Sequence, residues 1–124
     1  MHKSRLAGFI IDCQTDDLKG AATFWSAALG LANQGANGDN YVRLDGSPWD
    51  MVLEVQQVGH PSRVHLDVES DDVEAEVARL EKLGAKRLEN IKTWVVMEAP
   101  TGQRFCVVKA KVDLTGRPGV RVWE

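Results

Sequence analysis

The sequence predicts an α+β fold: two tandem β-α-β-β-β modules forming a curved mixed sheet with the helices on its outside. Three observations carry that expectation. Val64-His65-Leu66-Asp67-Val68 alternates strictly, as a strand does, and leads into an amphipathic run. Laying Phe9 over Val64 aligns Ile11 with Leu66, Thr15 with Ser70 and Leu18 with Val73, and superposes Asp12, Asp16 and Asp17 on Asp67, Asp71 and Asp72. The same order of strand, helix and further strands then follows on both sides. Neither helix alone can cover the sheet it packs on, so the two modules belong together.

In chain order, Leu6–Cys13 is read as the first strand, closed by polar Gln14-Thr15-Asp16. Leu18, Ala22, Trp25 and Leu29 recur at helical spacing and predict a helix over 17–29, with Trp25 in the core and Gly30 as its stop. Asn33–Asn40 is a Gly/Asn-rich turn region, Tyr41–Leu44 a short strand, and Asp45-Gly46-Ser47-Pro48 a turn. Met51–Val58 is a longer strand with Val52, Glu54 and Gln56 on one face. After the Gly59-His60-Pro61 connector the pattern restarts with a strand over 63–69. A helix over 72–83 follows, with Val73, Val77 and Leu80 as its apolar stripe. Asp71 and Glu74 have capping-box spacing, and Gly84 is the stop. Short strands follow over 87–90 and 94–98, then a turn at Ala99–Gly102 and a strand over 103–109. The tail from Ala110 carries one brief alternation, Val120-Arg121-Val122, suited to an added edge strand or a partner contact.

A length of 124 residues fits one domain with a real core, with module one over about 5–58, module two over about 62–109 and the tail over 110–124. The net charge of −3 and the lack of a Lys/Arg cluster argue against nucleic acid as a partner. No apolar run approaches a membrane span, and the N-terminus lacks a signal-peptide core. Cys13 and Cys106 lie in apolar strand-like runs, which fits reduced thiols and a cytoplasmic protein.

The chemistry concentrates on one face. His65, Asp67 and Glu69 share the polar side of their strand, opposite Val64, Leu66 and Val68. Such groups must look onto water or a ligand cavity, because burying them unpaired costs several kcal/mol. Histidine changes charge near neutral pH, so His65 is the candidate acid or base; the bland alternative is a hydrogen bond to Asp67 or Glu54 on a cavity floor. Asp12 and Asp67 occupy equivalent positions, as a carboxylate pair in the cavity or as acceptors for nearby turn amides. Trp49 and Trp94 are candidate pocket walls or rim packing, and Trp123 is an exposed residue or a subunit contact. His2 and His60 receive no role.

With Phe24-Trp25-Ser26-Ala27-Ala28-Leu29-Gly30, His65-Leu66-Asp67-Val68, Asp71-Asp72-Val73 and Ala99-Pro100-Thr101-Gly102-Gln103, this plan resembles the vicinal oxygen chelate superfamily. That is the glyoxalase and bleomycin-resistance fold, and the nearest likeness is to its glyoxalase-like domain branch. The resemblance covers residues 5–109. It implies a small-molecule ligand and a homodimer. In metal-dependent members four inward side chains hold a divalent ion, and the corresponding places here are Ile10, Glu54, His65 and Cys106. Ile10 stands where His or Gln is expected and Cys106 where Glu is expected, so no cofactor is expected; a metal, if held, falls to Glu54, His65 and Cys106. The preferred reading is a small-molecule pocket lined by Asp12, Glu54, His65, Asp67 and Cys106, with Trp49 or Trp94 closing it. A metal-dependent lyase, isomerase or dioxygenase using Glu54 and His65 is one alternative. A non-enzymatic binder of an antibiotic or metabolite is the other.

Overall fold

The computed structural model describes residues 1–124. Its elements are β1 (His2–Gln14), α1 (Leu18–Leu29), β2 (Asn33–Ala36), β3 (Tyr41–Leu44), a 3-10 turn at Ser47–Trp49, β4 (Val52–Val58), β5 (Arg63–Ser70), α2 (Val73–Lys82), β6 (Lys86–Ile91), β7 (Trp94–Glu98), β8 (Arg104–Lys109) and β9 (Arg121–Trp123). The sheet is mixed, in the order β2-β3-β4-β1-β5-β8-β7-β6, with β9 added beside β1. Two β-α-β-β-β modules are therefore present. By contact the chain forms two compact units, one of Gly8–His65 and one of Met1–Ala7 with Leu66–Glu124.

In the unit 8–65, β1 and β4 run parallel with Ile10 opposite Glu54 and Asp12 opposite Gln56. The antiparallel neighbour β3 sets Arg43 opposite Glu54 and Tyr41 opposite Gln56. Successive side chains alternate faces, so Ile10, Asp12, Glu54, Gln56, Tyr41 and Arg43 share one side. The other side carries Val42, Leu44 and Val55, all buried, and α1 packs there with Ala22 fully buried. Asp17 caps α1 by accepting from the Gly20 N–H, and Gly30 ends it at φ 67° in the left-handed region. Trp25 is half-buried rather than core. Its ring meets Phe24 edge to face at 5.1 Å between centroids, and Ala22 is the residue α1 buries. Part of the predicted 33–40 turn is strand β2, which pairs with β3 through an irregular register. All four of its residues are exposed, so no apolar alternation marked it.

The other unit repeats the plan with β5 and β8 parallel, β7 and β6 antiparallel, and a core of Val77, Val95, Met97 and Val107. Asp72 caps α2 by accepting from the Ala75 N–H. The expected Asp71/Glu74 box is not formed, because Asp71 instead accepts from the Lys3 N–H and Glu74 pairs with Arg87. β5 inverts the expected exposure. Val64 and Leu66 are 58% and 44% exposed, while Glu69 is buried and ion-paired with Arg5 at 2.6 Å.

The chain ends form a network that the sequence reading missed. β1 extends back to His2 because His2–Ser4 pair with β9. Glu76 on α2, fully buried, accepts from His2 Nε2 at 2.8 Å and from two Arg79 nitrogens at 2.8 and 2.9 Å. The Arg79 guanidinium lies 3.8 Å from the Trp123 ring centroid, and the Trp123 Nε1–H donates to Ser4 Oγ. Trp123 is thus a docked residue of the chain itself.

Candidate functional site

The polar side of the unit 8–65 gathers the reactive groups. The Asp12 side chain is 2% exposed, and its Oδ2 lies 2.7 Å from His65 Nδ1. An ionised carboxylate only accepts, so this contact places the proton on Nδ1 and makes Nε2 the basic nitrogen of the neutral ring. Arg63 Nε is 4.0 Å from the same oxygen. Asp12 Oδ1 is buried with no hydrogen-bond partner. The bland expectation for His65 named Asp67 or Glu54 as its carboxylate; the partner is Asp12.

Glu54, 8% exposed, is held differently. Its Oε2 accepts from Asn37 Nδ2 at 2.8 Å and lies 3.8 Å from an Arg43 guanidinium nitrogen. Arg43 Nε is itself buried and has no hydrogen-bond partner. Sequence reasoning missed Asn37 because it fell in the turn region. The signal for Arg43 was available, since Val42 and Leu44 alternate with it and force it to the face of Glu54. Cys13 points to the α1 side, where burial pushes its thiol above the ordinary value; a Trp25 contact opposes this and the Asp12 charge adds to it. A thiol kept protonated is no nucleophile.

In the other unit, Asp67 on β5 sits opposite Cys106 on β8, and Trp94 on β7 falls on the same face as Cys106. By register the place equivalent to Cys106 in module one is Gln56, opposite Asp12, and not Glu54. Trp49 lies in the 3-10 turn, 55% exposed. His60 bonds only its neighbour's carbonyl, at Pro61.

Residues 8–108 match the model of the glyoxalase-like domain. The chain belongs to that family. Similar solved structures include the hypothetical protein BH1468 of Bacillus halodurans C-125, at 11% identity over 89% of this chain and 96% of that one, with a TM-score of 0.66. Methylmalonyl-CoA epimerase of Mycobacterium tuberculosis matches at 13% identity over 89% and 90%, with a TM-score of 0.66. Homoprotocatechuate 2,3-dioxygenase of Arthrobacter globiformis matches at 22% identity over 85% of this chain and 35% of that one, with a TM-score of 0.57. No curated protein matches significantly. The likeness to the vicinal oxygen chelate superfamily holds, and at these identities it is a likeness of fold.

The residues present do not fit the family's four-ligand metal set. Ile10 is a buried aliphatic with no donor, and the Glu54 carboxylate is engaged by Asn37 and faces Arg43. A different group of donor types, His65, Asp67 and Cys106, lies along β5 and β8. No helix is long and apolar enough to cross a membrane.

Proposed function

We propose that this glyoxalase-like protein takes a small organic molecule onto the polar face of its N-terminal module, and that His65 moves a proton at it. The observation that carries this reading is the 2.7 Å contact between His65 Nδ1 and the buried Asp12 carboxylate. Asp12 acts as a positioning residue: it fixes the tautomer and stabilises the imidazolium that forms when Nε2 takes a proton. The imidazolium then returns that proton to the ligand, and the enzyme ends as it began.

The test is exchange of acidic C–H protons into deuterated water, followed by NMR over a panel of 2-oxo and 2-hydroxy acids. His65→Ala should slow exchange by about 100-fold or more. Asp12→Asn should slow it less and displace its pH profile. A His65→Ala variant that exchanges at the wild-type rate would remove His65 from the reaction. Binding without exchange, weakened in that variant by about 1–3 kcal/mol at most, would favour the non-enzymatic binder.

The mismatch at Ile10 favours a site that works without a resident metal. Protein purified without a tag and dialysed against zinc, nickel or manganese and then buffer is expected to retain well under one ion per chain. Stoichiometric metal that disappears in Cys106→Ser would overturn that part and move the chemistry to His65, Asp67 and Cys106. The reading also includes a homodimer: Val64 and Leu66 on β5 are apolar and exposed, as residues covered by a partner copy would be in the isolated chain. Sedimentation equilibrium measures it.

A further inference from the structure

We infer that the ligand of this site is a short organic acid whose carboxylate is received by Arg43 and whose hydroxyl is received by Asp12. The inference rests on the reading above and adds the substrate class. Two buried polar atoms on this face lack a hydrogen-bond partner, and they are of opposite kinds. Arg43 Nε–H is a donor and Asp12 Oδ1 is an acceptor. A buried donor or acceptor left unmade destabilises the empty site, so a ligand that completes both removes that penalty.

The register places them on one surface. Arg43 lies in the row Arg43–Glu54–Ile10 and Asp12 in the adjacent row Tyr41–Gln56–Asp12, all facing the same side. Two strand spacings and one pleat repeat separate the two residues, roughly 12 Å between Cα atoms. The arginine side chain spans part of that gap, since its guanidinium already reaches toward Glu54 on the intervening strand. What remains is the length of a short acid.

The charges on the face agree with a carboxylate at Arg43. Glu54 lies 3.8 Å from that guanidinium, too far for a hydrogen bond, and its Oε2 is already satisfied by Asn37. Arg43 is therefore the less committed member of the pair, and its side chain is 40% exposed. A planar guanidinium receives a carboxylate through two parallel N–H donors, of which Nε–H is one. At the far end Asp12 Oδ2 is occupied by His65, which leaves Oδ1 to accept from a hydroxyl. The hydroxyl-bearing carbon is thereby brought beside the imidazole.

Matched ligands test both ends. Calorimetric titration of the whole protein would use 2-, 3- and 4-hydroxy acids, in which the span between carboxylate and hydroxyl grows, each beside its primary amide and its deoxy acid. The wild type is expected to favour acid over amide, and hydroxy acid over deoxy acid, each by roughly tenfold to a hundredfold. Arg43→Gln, at a side chain that is 40% exposed, should erase the first preference and keep the second. Equal binding of acid and amide, or a preference that survives Arg43→Gln, would overturn the inference. The proton-transfer reading then still stands if exchange is lost in His65→Ala. No binding and no exchange with any member would overturn both.

Discussion

Acidification from pH 4.5 to pH 2 is expected to remove about 3 kcal/mol of folding stability through Glu76 alone. Burial by itself would raise the pKa of this carboxyl. Hydrogen bonds from Arg79, His2 and Ser4 outweigh that and hold it at about 2, against an ordinary value of 4.5. Because the folded value is depressed, the stabilisation is complete above pH 4.5 and is lost as pH falls toward 2. Urea unfolding at pH 7, 4.5, 3 and 2 reads the effect. Glu76→Gln should lose a similar amount at pH 7, since the Arg79 guanidinium keeps its place without a counter-charge. Its acid limb should be correspondingly flatter. An acid limb as steep in Glu76→Gln as in the wild type would show that other carboxylates dominate acid unfolding.

The position of this network bears on what the family fold supplies. The family match spans 8–108, whereas His2, Ser4 and Trp123 lie outside it. These outer segments are joined to α2 through Glu76 and Arg79, which lie inside it. The β1–β9 pairing thus lies outside the matched residues and is tied to α2 through the buried Glu76 and through Arg79.

Periodicity made the modules legible in the sequence. Tyr41–Leu44 and Trp94–Glu98 were placed to the residue because each alternates between core and polar face and is bounded by turn residues. β2 was not legible, since a fully exposed strand has no apolar period. The N-terminal extension of β1 was equally hidden, because its partner β9 lies at the far end of the chain and pairing across that separation leaves no local mark. On β5 the alternation was right and the expected burial was reversed. Polar side chains become the buried set when each finds a partner, as Glu69 does in Arg5 and Asp12 does in His65. The sequence singled out Asp12 and His65 separately, through the repeat. That they meet depends on strand order, which no local pattern encodes.

Gly8→Ala is expected to cost about 3 kcal/mol or more and to disturb the site with the fold. Gly8 lies on β1 opposite Val52 of β4, and a Cβ built there overlaps the Val52 carbonyl oxygen. The obstacle is backbone on a hydrogen-bonded neighbour strand, so no side-chain rotation relieves it; the two strands must separate. That pairing is what aligns Ile10 with Glu54 and Asp12 with Gln56 two and four residues further on. The urea midpoint should fall, and the loss of acid binding should follow the loss of register rather than of any contacting side chain. Gly59→Ala is the control, because a Cβ there meets nothing within 4 Å, and it should lie within about 0.5 kcal/mol of the wild type. A Gly8→Ala protein that unfolds at the wild-type midpoint would mean that β1 and β4 have slack at this point. The close approach would then not be what sets the distance between Arg43 and Asp12 across the sheet.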